Sequence, residues 1–160
     1  MLGVVAIRGH WVEVTAAALP NGQFGWVEFG RDVAVEPLQW SLRASLERRQ
    51  LSVLRGGRLV RTIPIGVGAP RSPTPVGRFA VAGKFTGTFG PAFGCCILAL
   101  TAHQPRLPAG WNASMTYYVA IHTGSGQGTA VSAGCLHVTE PDVRYLMRTV
   151  PLGTPVRISR

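Results

Sequence analysis

Residues 117–123 read Tyr117-Tyr118-Val119-Ala120-Ile121-His122-Thr123, and residues 132–138 read Ser132-Ala133-Gly134-Cys135-Leu136-His137-Val138. Both are short runs with the alternation of an extended chain, in which successive side chains face opposite sides of a sheet. In the first run Tyr117, Val119 and Ile121 share one face, so Tyr118, Ala120 and His122 share the other. In the second, Leu136 and Val138 read as buried, which puts Cys135 and His137 together on the opposite face. A Gly-rich loop, Thr123 to Gly134, joins the two. A histidine and a thiol are thereby delivered to the two ends of one loop, which is how neighbouring strands bring a base to a nucleophile. Gly134 fits that reading, because without a Cβ it lets a substrate oxygen approach the backbone N–H groups of Gly134 and Cys135 as an oxyanion hole.

Upstream, Leu51 and Val53 alternate with polar residues, Gly56-Gly57 makes a turn, and Ile63, Ile65 and Val67 alternate again, which predicts a hairpin. Pro73-Thr74-Pro75-Val76-Gly77 forces an irregular corner before Phe79 and Val81 resume an extended pattern. Ile97 to Leu100 is a further short strand. One helix is predicted downstream: Val143, Leu146, Met147 and Val150 fall on one face, Thr139 is placed as N-cap with Asp142 three residues on, and Pro151 ends it. Val156 to Ile158 forms the last strand. Near the N-terminus Trp11-Val12-Glu13-Val14, Asn21-Gly22 and Gly25-Trp26-Val27-Glu28-Phe29 read as strand, turn, strand, a unit too small to stand alone. The expectation is a mainly β chain with one short helix near the C-terminus, divided into a small β segment over 1–40 and a main body over 41–160.

Composition agrees. A chain of 160 residues with 46% hydrophobic and 14% charged residues buries a core without staples, and its 20 Gly and 12 Pro are spread as turn residues between strands. A net charge of +9 makes the surface attract anions. The arginines, Arg43, Arg48, Arg49, Arg55, Arg58 and Arg61 among them, are scattered without an aromatic RNA-binding signature, a basic helix or a zinc-finger spacing, which weighs against nucleic acid. The apolar run Met1 to Ile7 is short, lacks a preceding basic region and is followed at once by Arg8, so it does not read as an export signal. No run is long enough to span a membrane.

The cysteines are Cys95, Cys96 and Cys135. Vicinal cysteines rarely bridge each other without strain, so no structural disulfide is expected and at least one thiol is free. No metal site or cofactor is expected either: Cys95-Cys96 has no ligand spacing to a histidine, and Cys135-Leu136-His137 lacks a third partner. Gly124-Ser125-Gly126-Gln127-Gly128 lacks the Lys and helix of a phosphate loop and reads as a mobile lid. His103, in a Pro-rich loop, reads as a surface residue.

Ile121-His122-Thr123, a loop, Ser132-Ala133-Gly134-Cys135-Leu136 and then Leu152-Gly153-Thr154-Pro155-Val156 together resemble the signature of the L,D-transpeptidase catalytic domain of bacterial cell walls. Gly66-Val67-Gly68, Pro73-Thr74-Pro75-Val76-Gly77-Arg78-Phe79 and Phe89-Gly90-Pro91 add to the likeness, which covers about Ser41 to Ile158. It implies a sandwich-like β fold and transfer of a peptidoglycan stem peptide through a cysteine thioester to an acceptor amine. By the same resemblance Cys135 is the nucleophile, His122 the base, the Thr123 carbonyl orients His122, Ser132 hydrogen-bonds within the site, and Gly134 and Cys135 supply backbone donors. His137 and Tyr118 are expected to meet substrate. Peptidoglycan stem peptides, anionic wall polymers and carbapenem-type inhibitors are the implied partners. The implied place of work is the cell envelope, outside the cytoplasmic membrane, with the export signal absent from this chain. Residues 1–40 resemble, weakly, an SH3-like wall module. Ala133 departs from a histidine common before Gly-Cys, Thr123 from a frequent glycine, and His137 from the usual arginine. Release of the same thioester to water, as an L,D-carboxypeptidase, and a non-catalytic wall-binding module are the competing readings.

Overall fold

The apolar members of these alternating runs line one side of a long sheet in the computed structural model, which describes residues 2–30, 33–112, 114 and 117–160. Strands β1 (Gly3–Arg8), β2 (Trp11–Thr15) and β3 (Gly25–Glu28) form an antiparallel sheet of their own in that order. The remainder comprises β4 (Trp40–Ser45), β5 (Gln50–Arg55), β6 (Arg58–Pro64), β7 (Val67–Gly68), β8 (Gly77–Thr86), β9 (Cys96–His103), β10 (Tyr118–Thr123), β11 (Ala130–Ser132), β12 (Leu136–Val138), helix α1 (Glu140–Thr149) and β13 (Pro155–Ser159). Eight of these strands make one curved sheet in the order β12-β10-β9-β8-β13-β4-β5-β6, while β7 and β11 pair separately and in parallel. This is the sandwich-like, mainly β architecture expected, with its one helix where the apolar spacing put it. The strand β1 was not expected, since its residues read only as an apolar run.

Local chemistry explains the elements. The β5–β6 hairpin turns at Gly56 and Gly57, whose φ values of 55° and 78° are those of a two-residue primed turn that suits the twist of the flanking strands. Thr139 caps α1 by accepting the Asp142 N–H and donating to Asp142 Oδ2 at 2.6 Å. Asp142 also holds Arg61 of β6 at 2.7 Å, tying the helix to the far edge strand. Val143 and Leu146 of the helix join Leu42, Leu51, Ile63, Val81, Leu98, Ile121, Leu136 and Val156 in one continuous core. Removing such a side chain costs about 2–5 kcal/mol, because the close-packed surroundings collapse only partly.

The N-terminal sheet docks on β8 and β9. Gly3 lies so close to Ala80 that a Cβ there would collide with it, and the hydroxyls of Thr15 and Thr101 meet at 3.2 Å. Asn21 bonds the His103 carbonyl and N–H at 2.7 and 2.8 Å, and the His103 ring reaches the Ala17 carbonyl at 2.7 Å. His103 is therefore not the plain surface residue expected: it ends β9 and fastens the N-terminal segment. Among the described residues no helix is long and apolar enough to cross a membrane.

Candidate active site

Strands β10 and β12 run parallel with Ile121 opposite Leu136, His122 opposite His137 and Thr123 opposite Val138. One step back along this register sets Cys135 beside Ala120, whose N–H donates to Cys135 Sγ at 3.4 Å. Ala120 and His122 project from the same face of β10, so the thiol and the imidazole occupy adjacent places on one face.

His122 is only 3% exposed. Its Nδ1–H donates to the Thr123 carbonyl at 2.8 Å, which fixes the tautomer and leaves the Nε2 lone pair as the proton acceptor. Phe93 and His137 flank the ring, with centroids 4.7 and 4.9 Å away. Burial pushes the His122 pKa below the ordinary histidine value, the Thr123 carbonyl opposes that shift, and charge on His137 adds to it. Burial pushes the Cys135 thiol above its ordinary value, against the pull of the Ala120 N–H. Both shifts favour a resting pair that is neutral thiol beside neutral imidazole.

The turn before the thiol is pinned from several sides. Ser132 Oγ donates to the Cys135 carbonyl at 2.6 Å and accepts the Gly134 N–H at 3.0 Å. Thr74 Oγ1 donates to the Gly134 carbonyl at 2.9 Å and accepts the Gly68 N–H at 2.8 Å. Gln104 Nε2 donates to the carbonyls of Ala133 at 2.5 Å and Ser72 at 3.2 Å. The expectation for Gly134 needs correcting on two counts. Its N–H is taken by Ser132, leaving the Cys135 N–H from the expected pair of oxyanion donors. The absence of its Cβ serves packing: φ is 117°, and a Cβ would run into the Gln104 amide.

His137 Nδ1–H donates to the Ser125 carbonyl at 3.0 Å, and its ring leaves no room for a Cβ on Gly124. His137 also exchanges backbone hydrogen bonds with Gly66 at 2.8 and 2.9 Å. Tyr118 is not brought to this cluster: it sits at the other end of β10, exposed, edge-on to His103 at 5.0 Å. The Thr123 hydroxyl is buried with no partner, so that residue meets the site through its carbonyl.

Two further expectations are corrected. Cys95 and Cys96 are bridged to each other, and Cys135 is the free cysteine. The turn into β9, closed by Gly87 N–H to the Cys95 carbonyl and Phe89 N–H to the Gly94 carbonyl, carries Phe93. The loop after His122 is tied down, not a free lid. Gln127 donates to the Gly124 carbonyl at 2.6 Å, Gly128 N–H to Ile65 at 3.0 Å, and Val67 N–H to Thr129 at 3.0 Å. Among the described residues no group of three or more His, Cys, Asp or Glu side chains could hold a metal ion.

Thr74, Gln104 and Ser72 were missed as site residues. Thr74 lies in the Pro-Thr-Pro corner, a visible signal; Gln104 follows β9 with no local pattern at all.

The model of the L,D-transpeptidase catalytic domain matches residues 40–158. The protein YkuD of Bacillus licheniformis is 30% identical over 148 residues, covering 89% of this chain and 82% of its own length. L,D-transpeptidase 1 of Mycobacterium tuberculosis is 26% identical over 122 residues, 72% of this chain and 48% of that protein. The solved structure of the L,D-transpeptidase LdtMt1 in complex with imipenem matches with a TM-score of 0.56 at 19% identity, over 93% of this chain and 67% of that one, a likeness of fold.

Proposed function

The chain belongs to the L,D-transpeptidase catalytic-domain family, and from that premise we propose that it transfers the acyl group of a peptidoglycan stem peptide, through a thioester on Cys135, to an acceptor amine in the cell envelope. The observation that carries this reading is the parallel register that seats Cys135 beside Ala120 on the face of β10 that presents His122.

In this reading His122 Nε2 takes the thiol proton as Sγ attacks the carbonyl of the donor's scissile amide. The Ala120 N–H stabilises the charge developing on sulfur, and the Cys135 N–H serves the oxyanion. The C–N bond then breaks, His122 returns the proton to the departing amine, and a thioester remains. An acceptor amine adds to the thioester, His122 removes its proton, the C–S bond breaks and the thiol is restored. Ser132, Thr74 and Gln104 act by positioning, since they hold the turn that aims Sγ. His137 acts beside the base through its contact with His122, and Tyr118 meets only the part of a substrate that reaches the far end of β10.

The test is intact-mass measurement after exposure to a carbapenem such as imipenem, found in complex with the relative LdtMt1. An added drug mass mapping to Cys135 is expected; an unmodified protein, or an adduct elsewhere, overturns the proposal. Product analysis with and without an acceptor amine separates the transpeptidase from a carboxypeptidase, which releases acid in both.

A further inference from the structure

The middle of the large sheet carries a charge pattern that the reaction does not use. Arg78 of β8 pairs directly with Arg157 of β13, and Arg157 pairs directly with Arg43 of β4. All three are exposed, on the face of the sheet away from the core. The same row continues through Ser52 of β5 and Thr62 of β6. With adjacent strands about 4.8 Å apart, the five residues make a strip roughly 19 Å long that crosses the strands. Like charges placed directly opposite each other destabilise a sheet. Among the described residues the ion pairs are Arg61 with Asp142 and Arg144 with Glu140, so none of the three arginines has a carboxylate to offset the repulsion.

At the β8 end the row opens into a groove of about 740 Å³ where the N-terminal segment meets the sheet. Phe24, Arg78, Arg157 and Arg160 line it, and the Arg78 guanidinium lies 5.5 Å from the centre of the Phe24 ring. Val76 and Gly77 form another wall, two and three residues beyond the Thr74 that holds Gly134. The groove and the catalytic turn are thus joined by one short stretch of chain.

We propose that this row and its groove form a binding track for a linear phosphodiester polymer, which would hold the enzyme on a charged wall polymer alongside its peptide substrate. Arginine forks and hydroxyls in single file match a chain of phosphates, each offering several acceptor oxygens and one fixed negative charge. The groove, with the flat face of Phe24, accepts the sugar or polyol between phosphates. The proposal rests on the envelope reading only for the source of the polymer; the binding chemistry stands apart from Cys135.

The experiment measures binding of the full chain to poly(glycerol phosphate) teichoic acid, to a single-stranded oligodeoxynucleotide of matched charge and to alginate, a polyuronate, at two or more salt concentrations. The triple variant Arg43→Ser, Arg78→Ser, Arg157→Ser is compared with Arg58→Ser, Arg106→Ser, Arg148→Ser, which removes equal charge elsewhere. The track triple is expected to weaken teichoic acid binding by about 10²-fold or more and to flatten the salt dependence by about two units in slope, at roughly 0.7 per lost phosphate contact. The control triple should change affinity by less than about threefold. The track triple should also melt no lower than the parent, since it relieves like-charge pairs. Cys135→Ala should bind the polymer like the parent, so loss of transferase chemistry leaves this result standing. Comparable oligonucleotide binding with the same variant pattern supports a track that reads phosphodiester chemistry alone. Equal losses in the two triples, preference for alginate over both phosphodiesters, or no binding to any polymer overturns it.

Discussion

At one end of the large sheet β10 and β12 run parallel and are joined by a crossover of twelve residues, 124–135; at the other, β5 and β6 are antiparallel and joined by Gly56-Gly57. The hairpin end is self-sufficient: its turn sets its register, and most of β6 faces solvent. The crossover end is not. Parallel neighbours cannot be linked by a tight turn, so the register that places Cys135 beside Ala120 has to be held by side chains from elsewhere, Ser72, Thr74 and Gln104 among them. The candidate site sits where the chain needs outside support, because a crossover can deliver two distant residues to one face. The two ends should therefore respond to substitution in different currencies, the crossover in activity and the hairpin in stability.

The largest contrast concerns the thiols. Cys135→Ala should abolish the carbapenem adduct completely while keeping the parent circular dichroism spectrum, whereas Cys95→Ser with Cys96→Ser should still form it. An adduct on Cys135→Ala removes the thioester from the mechanism.

Next comes the base against a core residue of the hairpin end. His122→Ala should lower turnover by about 10²–10⁴-fold, the usual loss for a general base, with the fold retained. Leu51→Ala, fully buried in β5, should cost about 2–5 kcal/mol in denaturant unfolding and leave the rate per folded molecule within a few-fold of the parent. A large rate loss in folded Leu51→Ala would erase the distinction between the two ends.

Gln104→Ala is intermediate and should move both readouts. It strips a donor from the buried carbonyls of Ala133 and Ser72 and opens space at Gly134, a loss of about 1–3 kcal/mol. Because the turn carrying Cys135 is then looser, acylation should slow by about tenfold, mainly through kcat. Unchanged kcat with lowered stability would reduce Gln104 to a packing role.

The same contrast explains what could be read from sequence. The hairpin, α1 and the faces of β10 were legible because each depends on neighbours in the chain: Gly56-Gly57, the Thr139 to Pro151 helix signals, the alternation from Tyr117 to Thr123. The placement of Cys135 and His122 on one face was legible from alternation and the loop between them, while the roles expected of them came from the resemblance. Gln104 was not legible, since its role is set by a contact with a turn 29 residues away in sequence. Gly134 was assigned a substrate-facing role because the chain does not reveal that Ser132 captures its N–H. The tethered loop after His122 escaped for a similar reason, since it is held by bonds to Ile65 and Val67, some sixty residues away in sequence, and the bridge between Cys95 and Cys96 has no local pattern that announces it.

The smallest expected effect tests the electrostatics between the two histidines that the parallel register sets side by side. Burial is the main cause holding His122 below the ordinary histidine range, so the acid limb of the acylation profile should fall below pH 6.5, where an unperturbed imidazole would put it. The active form of the base is neutral, and its fraction rises as pH passes upward through the His122 pKa. Charge on His137 disfavours the His122 imidazolium, which lowers that pKa further. Arginine at the same position carries its charge at every working pH. In His137→Arg the acid limb should therefore move to still lower pH, by on the order of half a unit, equivalent to about 0.7 kcal/mol. The plateau should change little, because a weaker base is offset by a thiolate that the added charge favours. In His137→Asn, which keeps a polar group and removes the charge, the limb should move slightly upward. Acylation rates of the three proteins between pH 4.5 and 8.5, expressed as ratios at each pH, decide the matter. Ratios flat across that range, or an acid limb that rises in the arginine variant, would show that the register brings the rings together for packing and leaves the proton chemistry of His122 to burial and the Thr123 carbonyl alone.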